Sequence, residues 1–450
     1  MSLESEHAIM ARQLTRPLAK KMIRQISAGT TPLEGVTFLN VGRERYFKEV
    51  ERLLDDVQEG GGASIRFLNA DYGHGKTHFI GMINAMALER NWVTSYVKLS
   101  DAEGVRLDKF DELYAAILRN CLCQRIIDEH EQLYDPGDAN GWPWILDDWI
   151  KRHVQAESGS GIDPNSQGAR DRTISALELL LRKANVSGDF ASAVRTYASS
   201  AFDRASAEDQ QLKEAVIRWF ACERVPELKS RGVLAPISNK NAKQTLRSVI
   251  SLLRELGYGG MAIFIDEAEN AQHYPKNRRR TAYQNLRELL DNVDGGVSGV
   301  GLSRAVCYVA ATPVMFTGEK GFREYPALQD RIEDVSIDIP QLRGLIDYRA
   351  VILNLSVSPL TPENRRDLAR RLRDIHEVAF DWQPQSLVTD EWLNSLVESF
   401  EERMGEHGGL RPLCKSVVKA LEVAEQHPDI LQSVDSAEFV AAAFADEAKE

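Results

Sequence analysis

No apolar run in this 450-residue sequence approaches the roughly 20 residues that a membrane-spanning helix needs. Its start, MSLESEHAIMARQLTRPLAKK, has no uninterrupted apolar stretch of the secretory kind, so a soluble, cytoplasmic protein without membrane contact is expected. Cysteine is scarce as well. Cys121, Cys123, Cys222, Cys307 and Cys414 form no paired C-x-x-C framework, which argues against a disulfide scaffold or a zinc knuckle and leaves reduced, mostly buried thiols. An excess of positive charge is also missing. With 55 Lys and Arg against 67 Asp and Glu, the formal charge is -12, so the surface as a whole does not attract nucleic acid. Two local basic runs stand out, Lys276-Asn277-Arg278-Arg279-Arg280 and the group Arg365, Arg366, Arg370, Arg371 and Arg373. The second reads as a solvated helix face with i, i+4 partners; for the first, that reading and a local basic groove both stay open.

What is present is ordinary for a globular protein: 43% hydrophobic and 27% charged residues, in a chain long enough for about three domains. The spacing predicts a helix over 7–28, ended by Gly29, and a second amphipathic helix over 41–57 with Phe47, Val50, Leu53, Leu54 and Val57 on one face. A short strand follows at 64–70, a helix at 78–90 and a β-branched and aromatic strand at 92–100. From 101 to 244 the pattern is helical, with a polar loop at 155–171. A helix at 241–256, the strand at 261–265, a further helix, the strand at 305–311 and a last strand near 334–339 restore the α/β pattern. Beyond Pro340 only helices are expected, one opened by Thr361 as N-cap with Pro362 in its first turn.

The most specific feature is ADYGHGKT at 70–77, placed between a predicted strand and a predicted helix, as a P-loop requires. Gly73 and Gly75 let backbone N–H groups converge on phosphate oxygens at the positive end of the following helix. Lys76 would reach the β- and γ-phosphates, and the Thr77 hydroxyl would ligate Mg²⁺. The consensus opens with glycine where this chain has Ala70. A second feature, MAIFIDEAEN at 261–270, ends an apolar strand in adjacent acids. Asp266 would hold the Mg²⁺ shell and Glu267 would polarise water; alone, such acids more often cap the next helix.

Three more positions complete the set. Thr312 follows the strand AVCYVAA, where a polar residue can orient the attacking water. Arg331, in PALQDRIEDV, can project from a domain edge towards a neighbour's nucleotide, with Arg323 the weaker choice. Arg411, in GGLRPL, opens a C-terminal helix that could fold over the phosphates. For each arginine a surface salt bridge is the competing explanation.

The order GRER (42–45), P-loop, IDEAEN, Thr312 strand, DRI (330–332) and GGLR (408–411) resembles the Orc/Cdc6-like branch of AAA+ ATPases. The resemblance makes Thr312 sensor 1, Arg331 the arginine finger and Arg411 sensor 2, and it covers most of the chain outside the helical stretch. Within that branch, VGRERYF, ADYGHGKTHF and the GGLRPL helix are most similar to the ATP-binding proteins of BREX-type bacterial phage-defence systems, of the BrxD-like kind. It implies a nucleotide-binding set of Ala70, Asp71, Tyr72, Gly73, His74, Gly75, Lys76, Thr77 and His78, joined by Gly42 and Arg43. Members of the branch usually carry a winged-helix DNA-binding domain after the lid. This sequence ends near the lid at Glu450, which leaves a local basic patch as the expected route to DNA.

The expected architecture is therefore an α/β P-loop NTPase of AAA+ type, with a parallel sheet, a helical insertion and a C-terminal helical lid. Its parts would be an N-terminal helical segment (1–35), the first part of the ATPase core (36–100), the insertion (101–244), the second part of the core (245–342) and the lid (343–450). The expected reaction is Mg²⁺-dependent hydrolysis of ATP to ADP and phosphate, in a homo-oligomer that works with other defence-system proteins. A motor or loader acting on DNA, a slow nucleotide switch or scaffold, and a chaperone for a partner outside defence are the functions this pattern leaves open.

Overall fold

Apolar runs of strand length, each closed by a polar residue, build the centre of the molecule. A computed structural model describes residues 14–102, 104–125, 141–158, 166–202, 206–291, 301–333, 345–357, 359–405, 409–431 and 438–439. Helices α1 (Arg16–Ser27) and α2 (Glu44–Gly60) lead into β1 (Ala63–Asn69), α3 (Lys76–Glu89) and β2 (Val93–Lys98). Next come α4 (Phe110–Arg119), the short strand β3 (Cys121–Leu122) and helices α5 (Trp142–Ser158), α6 (Gln167–Ala184), α7 (Gly188–Ser199) and α8 (Ala207–Phe220). The chain then forms α9 (Ala242–Glu255), β4 (Met261–Asp266), α10 (Lys276–Asp291), β5 (Ala305–Ala311) and two short helices, α11 (Pro313–Thr317) and α12 (Pro326–Ile332). Strand β6 (Ile352–Asn354) and helices α13 (Pro362–Phe380), α14 (Asp390–Met404) and α15 (Leu410–Gln426) follow.

The strands form one sheet in the order β3-β2-β4-β5-β1-β6. All pairs are parallel except β2 with β3. Every residue of β4 and β5 is buried, because helices cover both faces of the sheet. Alternation along the strands divides the core in two. Phe67, Ile263, Ile265 and Val309 face one layer, and Leu68, Phe264, Tyr308 and Ala310 face the other beside α2 and α3. Apolar residues of the helical stretch, such as Leu113, Trp142, Phe190 and Leu246, pack in the same cluster as Ile263 and Val309, so these helices share the sheet's core. A separate core joins α1 to α13, α14 and α15 through Met22, Ile23, Ile375, Val397 and Val417. The N-terminal helix is thus packed into the C-terminal helical layer.

Several expectations need correction. The sheet is not wholly parallel, since the two-residue β3 adds an antiparallel edge inside the stretch expected to be helical only. A strand also forms beyond Pro340, where only helices were expected: β6 pairs Phe67 with Ile352 and Asn69 with Asn354. The strand expected near 334–339 lies outside the described residues. Helices α5 and α6 extend into both ends of the loop expected over 155–171. The N-cap at Thr361 forms as expected, its hydroxyl accepting from the Asn364 N–H at 3.2 Å.

Both basic runs are largely spent on structure. Arg365 and Arg373 are buried on α13 and bridge to α14 through Glu401 (2.9 Å) and Asp390 (2.6 Å), so that run is not the solvated face its spacing suggested. Arg366 and Arg370 do take the local partners, Glu363 and Asp367. In the other run, Arg278 pairs with Asp108 at 2.8 Å and the buried Arg279 pairs with Glu324. Lys276 and Arg280 stay exposed, without an ion pair among the described residues.

One buried group makes the fold sensitive to acid. Burial pushes the His376 imidazole down to about 4, and Trp382 donates its indole N–H to Nδ1 at 3.0 Å. The ordinary value in the unfolded chain is about 6.5, so below that pH the unfolded state binds the extra proton and stability falls until the folded value is reached. His376 is therefore expected to cost about 2 kcal/mol of stability between pH 7 and pH 5. Denaturant titrations at the two pH values should show a loss smaller by about that amount in His376→Gln.

Candidate functional site

The carboxyl ends of the parallel strands meet the C-terminal helical layer in a cleft with an empty volume of about 1100 Å³, open solvent included. The turn after β1 forms its floor. Gly73 and Gly75 have φ of +77° and +85°, a region that only glycine enters cheaply, and Gly75 is the N-cap of α3. The first N–H groups of α3 therefore point into the cleft without helical partners. A Cβ on Gly75 would also lie 3.3 Å from the Arg43 guanidinium. That guanidinium donates to the His74 carbonyl at 2.9 Å, and burial lowers it to about 10.

Lys76 is buried, its ammonium donating to the carbonyls of Ala70 (2.7 Å) and Asp71 (3.2 Å). Burial lowers its pKa, against the opposing pull of Glu269 and Asp266. Across the cleft floor, the Thr77 hydroxyl donates to Asp266 Oδ2 at 2.9 Å. The same oxygen accepts from the Tyr96 hydroxyl at 2.8 Å, and Oδ1 accepts from the Glu267 N–H at 2.9 Å. Asp266 is thus fixed on three sides. Glu267 has a left-handed φ of +58° and its carboxylate pairs with Lys98 at 3.0 Å. His78 is pushed down to about 4 by burial and by the nearby Arg43, which keeps it neutral.

The C-terminal layer closes the cleft from above. The Leu410 N–H at the start of α15 donates to the Gly73 carbonyl at 2.9 Å, and Arg411 lines the cleft beside Gly29. Gly42 packs against Asn364 and Leu360 of the same layer. Apolar residues Ile26, Leu39, Val41, Leu360 and Leu368 also line the cleft.

Of the residues singled out from the sequence, Arg43, Tyr72, Gly73, Gly75, Lys76, Thr77, His78, Asp266, Glu267 and Arg411 meet at this cleft. Ala70 and His74 contribute through their carbonyls, and Asp71 through its own. Thr312 is buried one step beyond β5, which lies between β1 and β4, but it does not line the cleft. Arg331 is 45% exposed on α12 and pairs with Asp291, away from the cleft. Three participants went unnoticed in the sequence. Tyr96 and Lys98 lie on β2, and only the β2–β4 pairing brings them to Asp266 and Glu267. Glu269 lies on the turn after β4, and its spacing from Glu267 was the available signal.

No helix among the described residues is long and apolar enough to cross a membrane, and no cluster of three or more His, Cys, Asp or Glu among them could hold a metal ion unaided. The fold and site define a mixed α/β protein whose mostly parallel sheet carries a glycine turn and a helix N-terminus at the floor of the cleft. A family model described as BREX system ATP-binding protein BrxC/D matches residues 15–438. The match takes in nearly the whole sequence, and the chain belongs to that family of ATP-binding proteins. No curated protein matches it.

Proposed function

We propose that this chain is a P-loop ATPase of the AAA+ type, cytoplasmic and oligomeric, serving as a motor or loader in a bacterial anti-phage defence complex that acts on DNA. The observation that carries the reading is the hydrogen bond from Thr77 to Asp266, which joins the glycine turn to the acidic strand end across the cleft floor. Membership in a family of ATP-binding proteins supplies the ligand. The triphosphate would lie on the amides of Gly73 to Thr77, with Lys76 turned from the Ala70 carbonyl towards it, and Arg411 above. The apolar residues beside Leu360 and Leu368 would take the base.

Thr77 and Asp266 offer hard oxygen donors at the place where Mg²⁺ is held in such sites. One carboxylate and one hydroxyl suit an ion that takes its remaining ligands from water and phosphate. When bound, that ion supplies charge neutralisation at the phosphates. Glu267 would take the proton of the attacking water, and its ion pair with Lys98 would open for that step. Thr312 would orient that water, and the exposed Arg331 would reach a neighbour's nucleotide, which makes the working form an oligomer. In this reading residues 36–100 and 245–342 form the ATPase core, 101–244 an insertion, 343–450 the lid and 1–35 an N-terminal helical segment, whose α1 packs with α13 and α15.

The Lys98 pair also favours a second reading, a slow nucleotide-dependent switch or scaffold whose base is held idle. Steady-state ATPase assays with and without DNA separate the two. The motor reading predicts turnover that needs Mg²⁺ and rises with DNA and with protein concentration. Near-zero turnover at every concentration, unchanged by DNA, would select the switch.

A further inference from the structure

We propose that the Leu410 main-chain N–H is a positioning group for the phosphate site: by holding the Gly73 carbonyl it sets the glycine turn and makes nucleotide affinity depend on the docking of α15. The proposal rests on the ATPase reading for its ligand, and it gives a role to a residue outside the set assigned there.

Every carbonyl from Ala70 to Gly75 has a donor. Those of Ala70 and Asp71 accept from the Lys76 ammonium, that of Tyr72 from the His74 ring (3.1 Å), that of His74 from Arg43 and that of Gly75 from the Phe79 N–H (2.9 Å). These donors lie in the turn, on α3 or just before α2. The Gly73 carbonyl differs, because its donor is the first residue of α15, at 2.9 Å. A trans peptide points its C=O and N–H in opposite directions, so a donor fixed on each carbonyl orients the amides that an anion-binding turn needs. Gly73, at φ +77°, lets its peptide swing at little cost. Untied, that carbonyl could turn its negative end towards a phosphate, and the bond to Leu410 prevents this.

The two backbones approach closely at this point. Gly409 has φ -62° and ψ 146°, a conformation any residue adopts, so its backbone does not call for glycine. Its neighbours do. A Cβ on Gly409 would lie 3.4 Å from the Tyr72 carbonyl oxygen, and one on Gly73 would lie 3.5 Å from the Gly409 Cα. Behind this contact, the fully buried Leu413 and Val417 hold α15 in the core it shares with α1 and α13. The turn is thereby tied to the position of the whole helical layer. Such coupling is mutual, so a nucleotide that needs the turn in this form also holds α15 against it.

The competing role is packing alone, in which the partly buried Leu410 side chain seats α15 and the N–H is incidental. Leu410→Pro and Leu410→Ala separate the two. Proline suits the first position of a helix, where its missing N–H costs no helical bond, and Gly409 already has the extended ψ that precedes a proline. Alanine removes the side chain and keeps the N–H. In titrations of a fluorescent ADP analogue, Leu410→Pro should bind about 10-fold more weakly than wild type, and Leu410→Ala within about 2-fold of it. Circular dichroism should show the same helix content in all three proteins. Hydrogen exchange at saturating ADP gives the readout that packing would not move. Nucleotide should slow exchange at 70–77 in all three proteins, and at 411–417 only in wild type and Leu410→Ala. Wild-type affinity in the proline variant, or an equal loss in both variants, would overturn the proposal and leave the ATPase reading standing. So would nucleotide protection of 70–77 without 411–417 in the wild type, a result that decides the matter even where the proline variant loses helix content. Failure of the wild type to bind any nucleotide would overturn the ATPase reading and this proposal with it.

Discussion

Lys76→Ala is expected to remove ATP binding at micromolar nucleotide. The ammonium is buried at the cleft floor and needs only to turn from the Ala70 and Asp71 carbonyls to meet a phosphate. Deleting one partner of a buried charge pair costs about 2–5 kcal/mol, which corresponds to at least about 30-fold in affinity. Fluorescence anisotropy of a labelled ATP analogue measures it directly. Circular dichroism should show helix content unchanged, because Lys76 opens α3 and its backbone is held by Gly75 and the turn.

Glu267→Gln is expected to separate binding from turnover. The amide keeps the size of the side chain and loses the ability to accept a proton, so hydrolysis should fall by about 10²–10⁴-fold while ATP affinity stays near wild type. Stability should change little, because the lost ion pair with Lys98 is solvent-exposed and such pairs contribute little. Asp266 keeps its three hydrogen bonds in this variant, since the one from residue 267 comes from the backbone. Single-turnover phosphate release and equilibrium binding, measured on the same preparation, provide the comparison. An equal loss of binding in the Lys76 and Glu267 variants would contradict the separate roles given to them.

The central strands were legible because each is an apolar run of strand length ending in a polar residue, and β5 begins and ends where its sequence does. The short strands were not legible. The Cys121–Leu122 and Ile352–Asn354 segments are too brief to show a period of two, and they become strands only by pairing with β2 and β1. The glycine turn and the DE pair announce themselves through residue type and context. Their neighbours do not. Tyr96 and Lys98 look like ordinary strand residues until register with β4 places them beside the acids. Arg43 was named only through the resemblance, and it comes under the turn from a different part of the chain to bond the His74 carbonyl. The arginine runs mislead for the opposite reason, since Arg279, Arg365 and Arg373 find carboxylates on other helices that sequence spacing cannot show.

The central claim is that a triphosphate lies on the amides of Gly73 to Thr77, between Lys76 and Asp266. A crystal structure with a non-hydrolysable ATP analogue and Mg²⁺ tests it most directly. The prediction is phosphate density within hydrogen-bond distance of those amides, Lys76 turned away from the Ala70 carbonyl, and the metal beside Thr77 and Asp266. Nucleotide bound elsewhere, with the glycine turn empty and Lys76 still on the carbonyl, would contradict it.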